Sequence, residues 1–308
     1  MSQAGTILVI GAASLDLKGH VTGTIVPGSS NPGAIRRSVG GVARNVAENL
    51  ARMGMNVSLM TAVGDDSTGR EVLRQATETG IDTRQTLVVE GGRTGAYLAV
   101  LDSSGALHVA VDDLAVLEAI TPRYLHDRRR IIAEAAMVVV DANLTPATLE
   151  TLFSIAAKSN VRVCADPTSP LLAARLRPYV TQLAVITPNA AEAEALTGLS
   201  LEDDDAQRIA RYLVSVGVGL AVVTLGERGL AYATSEESGR FPAIRTEVVD
   251  LTGAGDALTA GVIFGLLNDL EPVEAVRLGL SAATLTLKCA ETVCPDLSLE
   301  KLYDQLVV

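Results

Sequence analysis

The chain has no tryptophan and only three phenylalanines and six tyrosines among its 308 residues, so it carries few of the aromatic platforms on which single-stranded bases stack. It also lacks a basic excess. Lys and Arg number 25 against 36 Asp and Glu, a formal net charge of −11, and a surface of that sign repels polyphosphate duplexes and anionic lipid alike. A nucleic-acid polymer is not an expected partner. Long apolar runs are missing too: residues 6–10, 137–140 and 220–223 form runs of about five, against the roughly 20 that a membrane span needs. No membrane association is expected. Residues 1–5 carry no basic side chain and lead into a short strand pattern rather than a signal peptide's apolar region, which predicts a cytoplasmic protein. The three cysteines, Cys164, Cys289 and Cys294, are odd in number and form no CxxC pair. Buried free thiols are expected.

What is present is a rhythm. Short Val/Ile/Leu runs alternate with Ala/Leu/Glu/Arg stretches of helical period, the pattern of βα units around a mostly parallel sheet covered on both faces. A doubly wound α/β fold follows, as one domain with a small insertion, since α/β chains of this length often form a single unit. The pattern predicts strands near 6–11, 56–61, 137–140, 161–165, 184–187 and 220–224. Helices are predicted near 41–53, 67–79, 146–158, 190–197, 204–216, 254–267, 272–288 and 298–306.

Two segments break the rhythm. Residues 21–26 and 34–38 flank the turn-rich Pro27-Gly28-Ser29-Ser30-Asn31-Pro32-Gly33, and residues 94–101 and 107–111 flank Asp102-Ser103-Ser104-Gly105. Both read as antiparallel ribbons inserted between βα units. With no helix of their own they cannot bury both faces, so a small sheet is expected to stand off the main domain as a lid or a dimer contact.

The motif richest in chemistry is Asp250-Leu251-Thr252-Gly253-Ala254-Gly255-Asp256 ahead of a helical run. Small residues before a helix leave its orphan N–H groups free to bind an anion, and the helix dipole adds to the attraction. Asp256, in the first turn, can take a proton from a hydroxyl attacking a bound phosphate. Alone, the same residues make a plain capped helix. A second motif, Gly40-Gly41-Val42-Ala43-Arg44-Asn45-Val46-Ala47, opens another helix; paired glycines admit a ligand close to the backbone, and Asn45 offers a donor and an acceptor to adjacent sugar hydroxyls. A surface Asn at a helix start reads equally well there. Asn189 and Glu192 stand at i and i+3 after the strand at 184–187, where an amide and a carboxylate can reach one Mg²⁺-bound water, or simply form a cap with an acidic first turn.

Weaker signals are the stretch Thr224-Leu225-Gly226-Glu227-Arg228-Gly229, which either contacts a nucleotide or turns a hairpin, and Asp16, just past the end of the first strand, where open α/β sheets place ligands. His20, His108 and His126 have no metal-binding spacing, and Asp127-Arg128-Arg129-Arg130 reads as a solvated helix face. No GxxxxGK[ST] loop is present.

Together these motifs make the chain resemble the ribokinase-like (PfkB) family of carbohydrate and nucleoside kinases, from Ile7 to about Leu306. The two glycine motifs, with Gly54, Gly64 and Ala260-Gly261 at the family's spacing, and Asn189-x-x-Glu192 carry the likeness. Leu251 departs from it, standing where the family usually has a small or β-branched residue. The resemblance implies a ribokinase-like kinase domain over 1–308, with β-lid insertions about 20–39 and 93–112; the lid pattern itself, an exposed apolar ribbon face, invites a homodimer through the lid. The resemblance also implies Asp256 as general base beside an anion hole from the N–H groups of Gly253, Ala254 and Gly255, with Asp16, Gly41, Asn45 and Asn143 holding a small sugar or nucleoside. It places ATP against Asn189, Thr224, Gly226 and Gly229, hydrated Mg²⁺ near Glu192, and a monovalent cation, K⁺, at Asp250 and Thr252. Within the family, Ser30-Asn31-Pro32-Gly33, Arg44, Asp141-Ala142-Asn143-Leu144 and Cys164-Ala165-Asp166-Pro167-Thr168-Ser169 are similar to the pseudouridine-phosphorylating members. Ribokinases, adenosine and inosine-guanosine kinases and ketohexose kinases stay open, as does a silent sugar-binding protein.

Overall fold

Residues 5–201 and 205–306 are described by a computed structural model; the leader reading of residues 1–4, and position 204 at the start of one expected helix, fall outside them. In chain order the first half comprises β1 (Ile7–Ile10), β2 (Ser14–Val21), β3 (Gly33–Gly40), α1 (Val42–Arg52), β4 (Val57–Met60), β5 (Ala62–Gly64), α2 (Ser67–Glu78), β6 (Leu87–Val89), β7 (Gly95–Leu101), β8 (Leu107–Asp113), α3 (Pro122–Asp127), α4 (Arg129–Ala133) and β9 (Met137–Asp141). The second half adds α5 (Pro146–Ser159), β10 (Val163–Asp166), α6 (Pro170–Ala173), β11 (Leu183–Ile186), α7 (Ala190–Thr197), α8 (Ala206–Ser215), β12 (Leu220–Thr224), β13 (Leu230–Ala233), β14 (Ser238–Phe241), α9 (Ala254–Leu267), α10 (Pro272–Leu287) and α11 (Leu299–Leu306).

The main sheet runs β14-β13-β12-β11-β10-β9-β1-β4. It is parallel from β4 to β12, and the two strands at the far edge are antiparallel. Strands buried on both faces explain its composition: Leu8, Ile10, Val138 and Val140 feed one core with Leu149, Leu152 and Phe153 of α5. Ile7, Val9, Met137 and Val139 feed the other with α1, α9 and α10. Each such side chain withdrawn from water stabilises the fold by about 1.5–3 kcal/mol. The chain winds outward from β1 in both directions, to β4 on one side and to β9 through β12 on the other. The switch point therefore lies between β1 and β9, and a crevice opens there beyond the strands' carboxyl ends.

A second sheet, β3-β2-β7-β8, stands apart. Its two ribbons are joined by a parallel pairing of β2 with β7. Asp16, Lys18, Ser38 and Tyr97 share one face, as the register and the alternation of side chains require. Ile35, Leu98, Val109 and Val111 share the other, and all four are exposed.

The expected strands and helices of the main domain each lie within two residues of their observed bounds. The lid differs at its start. Its first strand spans Ser14–Val21 rather than 21–26, so Asp16 belongs to a strand and not to the loop after β1. The short pair β5–β6 and the edge strand β14 were not expected. Gly226–Arg228 is a tight turn linking β12 to the antiparallel β13, the hairpin alternative for that stretch. Two of the three cysteines are not free thiols: Cys289 and Cys294 are joined as a disulfide, and Cys164 alone stays free and buried. Among the described residues no helix is long and apolar enough to cross a membrane.

Candidate active site

Two glycine-led helix starts face the crevice, and only one is left open for a ligand. At α1 the N–H of Ala43 donates to Asp141 Oδ2 at 3.2 Å and that of Arg44 to the Ala12 carbonyl at 3.1 Å. Gly41 sits at φ +96°, and a methyl group there would lie 2.5 Å from the Ala12 carbonyl oxygen. Packing against the β1–β2 turn by itself requires that glycine. At α9 no side chain caps the helix. Gly253, at φ +85°, lets the turn press against the Thr292 carbonyl, and a methyl on Gly255 would meet nothing within 4 Å. This helix start, uncapped and with open space beside Gly255, is where an anion would gain from both the N–H groups and the dipole.

Asp256 stands partly buried in the first turn of α9. Its Oδ2 accepts a hydrogen bond from Asn45 Nδ2 at 2.8 Å. Burial pushes its carboxyl up to about 7, Asn45 pulls the other way, and the charges of Asp141, Asp16 and Glu192 add to the rise. Those neighbours are themselves buried. Asp16 Oδ1 accepts from Ser14 Oγ at 3.0 Å, and burial raises its pKa. Asp141, fully buried at the end of β9, accepts from the N–H groups of Ala12 at 2.7 Å and Asn143 at 3.0 Å, besides Ala43. Asp166 closes β10, and burial, then the charges of Asp256 and Glu192, hold its pKa well above the usual range. The crevice therefore concentrates carboxylates, and it calls for a cation. Among the described residues no group of three or more His, Cys, Asp or Glu is placed to hold a metal by itself. Such a site suits Mg²⁺, which keeps most of its waters and takes its remaining ligands from phosphate and one or two carboxylates.

The expected nucleotide residues lie along the ends of β11 and β12. Asn189 and Glu192 form a reciprocal cap: Glu192 Oε2 accepts from the Asn189 N–H at 2.8 Å, and Asn189 Oδ1 from the Glu192 N–H at 3.0 Å. Burial raises the Glu192 pKa. The Thr224 N–H donates to the Pro188 carbonyl at 2.9 Å, tying the two strand ends together. Thr187 Oγ1 and Thr259 Oγ1, 2.7 Å apart, join this region to α9. Gly226 faces open space, whereas Gly229 backs onto the Phe241 carbonyl of β14 and serves packing.

Among the residues expected to hold the substrate, Asn45 is turned to Asp256, and its Oδ1 is reached by Arg44 Nη1 at 3.2 Å and Thr292 Oγ1 at 3.4 Å. The backbone around Asn143 is held by Arg175 Nη1, which donates to the carbonyls of Ala142, Asn143 and Leu144. Asp250 Oδ1 accepts from the Thr252 N–H at 2.8 Å, and its Oδ2 meets Lys18 Nζ at 2.6 Å. Lys18 escapes the motif reading, and Asp141 and Asp166, although they stand in two of the motifs quoted above, take no place in the site from the sequence. The available signal for the two aspartates is a lone acidic residue closing a buried apolar run, Met137–Asp141 and Val163–Asp166.

Residues 4–297 match a family model described as pfkB family carbohydrate kinase. The pseudouridine kinase of Escherichia coli (strain K12) is 34% identical over 301 residues, covering 97% of this chain and 96% of that protein. The guanosine-inosine kinase of Exiguobacterium acetylicum is 28% identical, over 92% of this chain and 95% of that one. Among solved structures, Arabidopsis thaliana ribokinase complexed with ribose and ATP superposes with a TM-score of 0.85 over 99% of each chain at 20% identity, a likeness of fold.

Proposed function

The chain belongs to the pfkB family of carbohydrate kinases, and from that membership we propose that it transfers the terminal phosphoryl group of ATP to the 5′-hydroxyl of pseudouridine, yielding pseudouridine 5′-phosphate. The phosphotransfer to an alcohol comes with the family; the nucleoside is the finer reading. The observation that carries the chemistry is the placement of Asp256, a carboxylate about half-ionised near neutral pH beside the uncapped start of α9. A base poised near the working pH combines a large ionised fraction with enough basicity to accept the hydroxyl proton. The N–H groups of Gly253, Ala254 and Gly255 stabilise the charge on the transferred phosphoryl group. Asn45 orients the base. Asp16, on the lid face turned to the crevice, and Asn143 hold the ribose hydroxyls, and a substrate lacking them leaves buried polar groups unpaired. Asn189, Thr224 and Gly226 line the nucleotide, with Glu192 directed at a water of the metal. Bound Mg²⁺ supplies neutralisation of phosphate charge among these carboxylates. The lid sheet excludes water so that ATP is not hydrolysed.

Similarity to the Escherichia coli pseudouridine kinase across nearly the whole of both chains supports the substrate. Purified protein with Mg²⁺ and ATP, offered pseudouridine, uridine, inosine, adenosine and ribose in parallel, tests it by mass detection of the 5′-phosphates. Pseudouridine should turn over fastest; ribose turned over as well as any nucleoside defeats the assignment. The outer lid face, with Ile35 79% and Val111 62% exposed, is the surface through which we propose that two copies pair, and a monomer mass in light scattering rejects that pairing.

A further inference from the structure

Lys18 is a lid residue that the scheme above leaves without work. It lies two positions along β2 from Asp16, so both side chains leave the same face of the lid. Its ammonium reaches across to Asp250 Oδ2 at 2.6 Å, with side-chain exposures of 10% and 20%. The second oxygen, Asp250 Oδ1, is taken by the Thr252 N–H at 2.8 Å, the first turn of the backbone into the anion cradle. A monovalent cation at Asp250 and Thr252 needs oxygen ligands. Here one carboxylate oxygen faces a backbone donor and the other a full positive charge, and a second cation beside that ammonium meets direct Coulomb repulsion. The donor set does not fit K⁺.

We propose that the Lys18 ammonium takes the place of that cation: it is a positioning residue that fixes Asp250, and through it the turn leading to Gly253, Ala254 and Gly255, so that the protein works without K⁺. The inference rests on the kinase reading but is tested apart from it. Wild type and Lys18→Met are compared in KCl and in tetramethylammonium chloride of equal ionic strength, by thermal melting with Mg²⁺ and ATP present and by initial rates of ADP formation. For wild type, exchanging the salts should change the rate by less than about fivefold and the melting temperature by less than about 2 °C. Lys18→Met, its carboxylate freed, should respond to K⁺ beyond those limits in melting, in rate, or in both. A K⁺ response in wild type, or none in Lys18→Met, overturns the proposal. If no substrate is phosphorylated the kinase reading fails, while the melting arm still decides the role of Lys18. If Lys18→Met does not fold, Lys18→Arg, which keeps the charge, should match wild type in both salts; a K⁺ response in that variant overturns the proposal.

Discussion

Replacing the base with its neutral isostere should abolish turnover and make the protein more stable at alkaline pH. The Asp256 carboxyl is shifted from 3.8 to about 7, burial being the first cause. A group whose folded value lies above its unfolded one contributes stability that is complete below about pH 4 and is lost as pH rises through about 7. At 1.36 kcal/mol per unit, a shift of about three units sets a ceiling near 4 kcal/mol. Solvent contact and charge sharing with Asp141, Asp16 and Glu192 reduce this to about 1–3 kcal/mol. Asp256→Asn removes the charge while its amide oxygen can still accept from Asn45. For a chain of this size, the gain at pH 8.5 corresponds to about 2–6 °C in melting temperature. The assay is a melt of both proteins without ligand from pH 4 to 8.5. The two curves should converge near pH 4, separate between about pH 4 and 7 and run parallel above that, and Mg²⁺ with ATP should narrow the gap by neutralising the wild-type cluster. An Asp256→Asn variant less stable than wild type at pH 8.5, or a gap constant with pH, refutes the reasoning.

The same ionisation governs rate: kcat/KM should rise with pH along a limb near 7, because the base acts only when deprotonated. Asn45→Ala deletes the bond that holds this carboxyl down, so the limb should move up by about one unit. Asp141→Ala strands the N–H groups of Ala12, Ala43 and Asn143 at about 1–3 kcal/mol each, partly offset by relief of a buried charge, and should lower the melting temperature by several degrees. Gly41→Ala and Gly255→Ala should part company: the first, at positive φ against the Ala12 carbonyl, lowers the melting temperature. The second leaves melting nearly unchanged and raises the KM for ATP by placing a methyl in the cradle.

The doubly wound core was legible because buried parallel strands are near-continuous apolar runs, and the helices between them begin at recognisable caps, Thr145, Asn189 and Asp66 among them. The start of α9 announced itself through its small residues. β2 was harder. Its lid face carries Asp16, Lys18 and His20, so half of the strand reads as loop, and only its partners β3 and β7 show the alternation to be structural. β13 and β14 are short edge strands of four residues each, too brief for periodicity to register. Asp141 and Asp166 join the candidate site only through the fold, which carries two strand ends to one crevice. The Cys289–Cys294 pairing depends on a loop conformation that residue spacing does not encode.

Asn45 and Asp256 are separated by 211 positions and Lys18 and Asp250 by 232. A chain leaving the ribosome N-terminus first therefore presents its lid and α1 well before α9 has been made. The proposed base, Asp256, and the N–H groups proposed to receive phosphate arrive together, with the start of α9. A nascent chain shorter than 253 residues lacks both, so on this proposal it has no means of discharging nucleotide while the lid and α1 wait for α9.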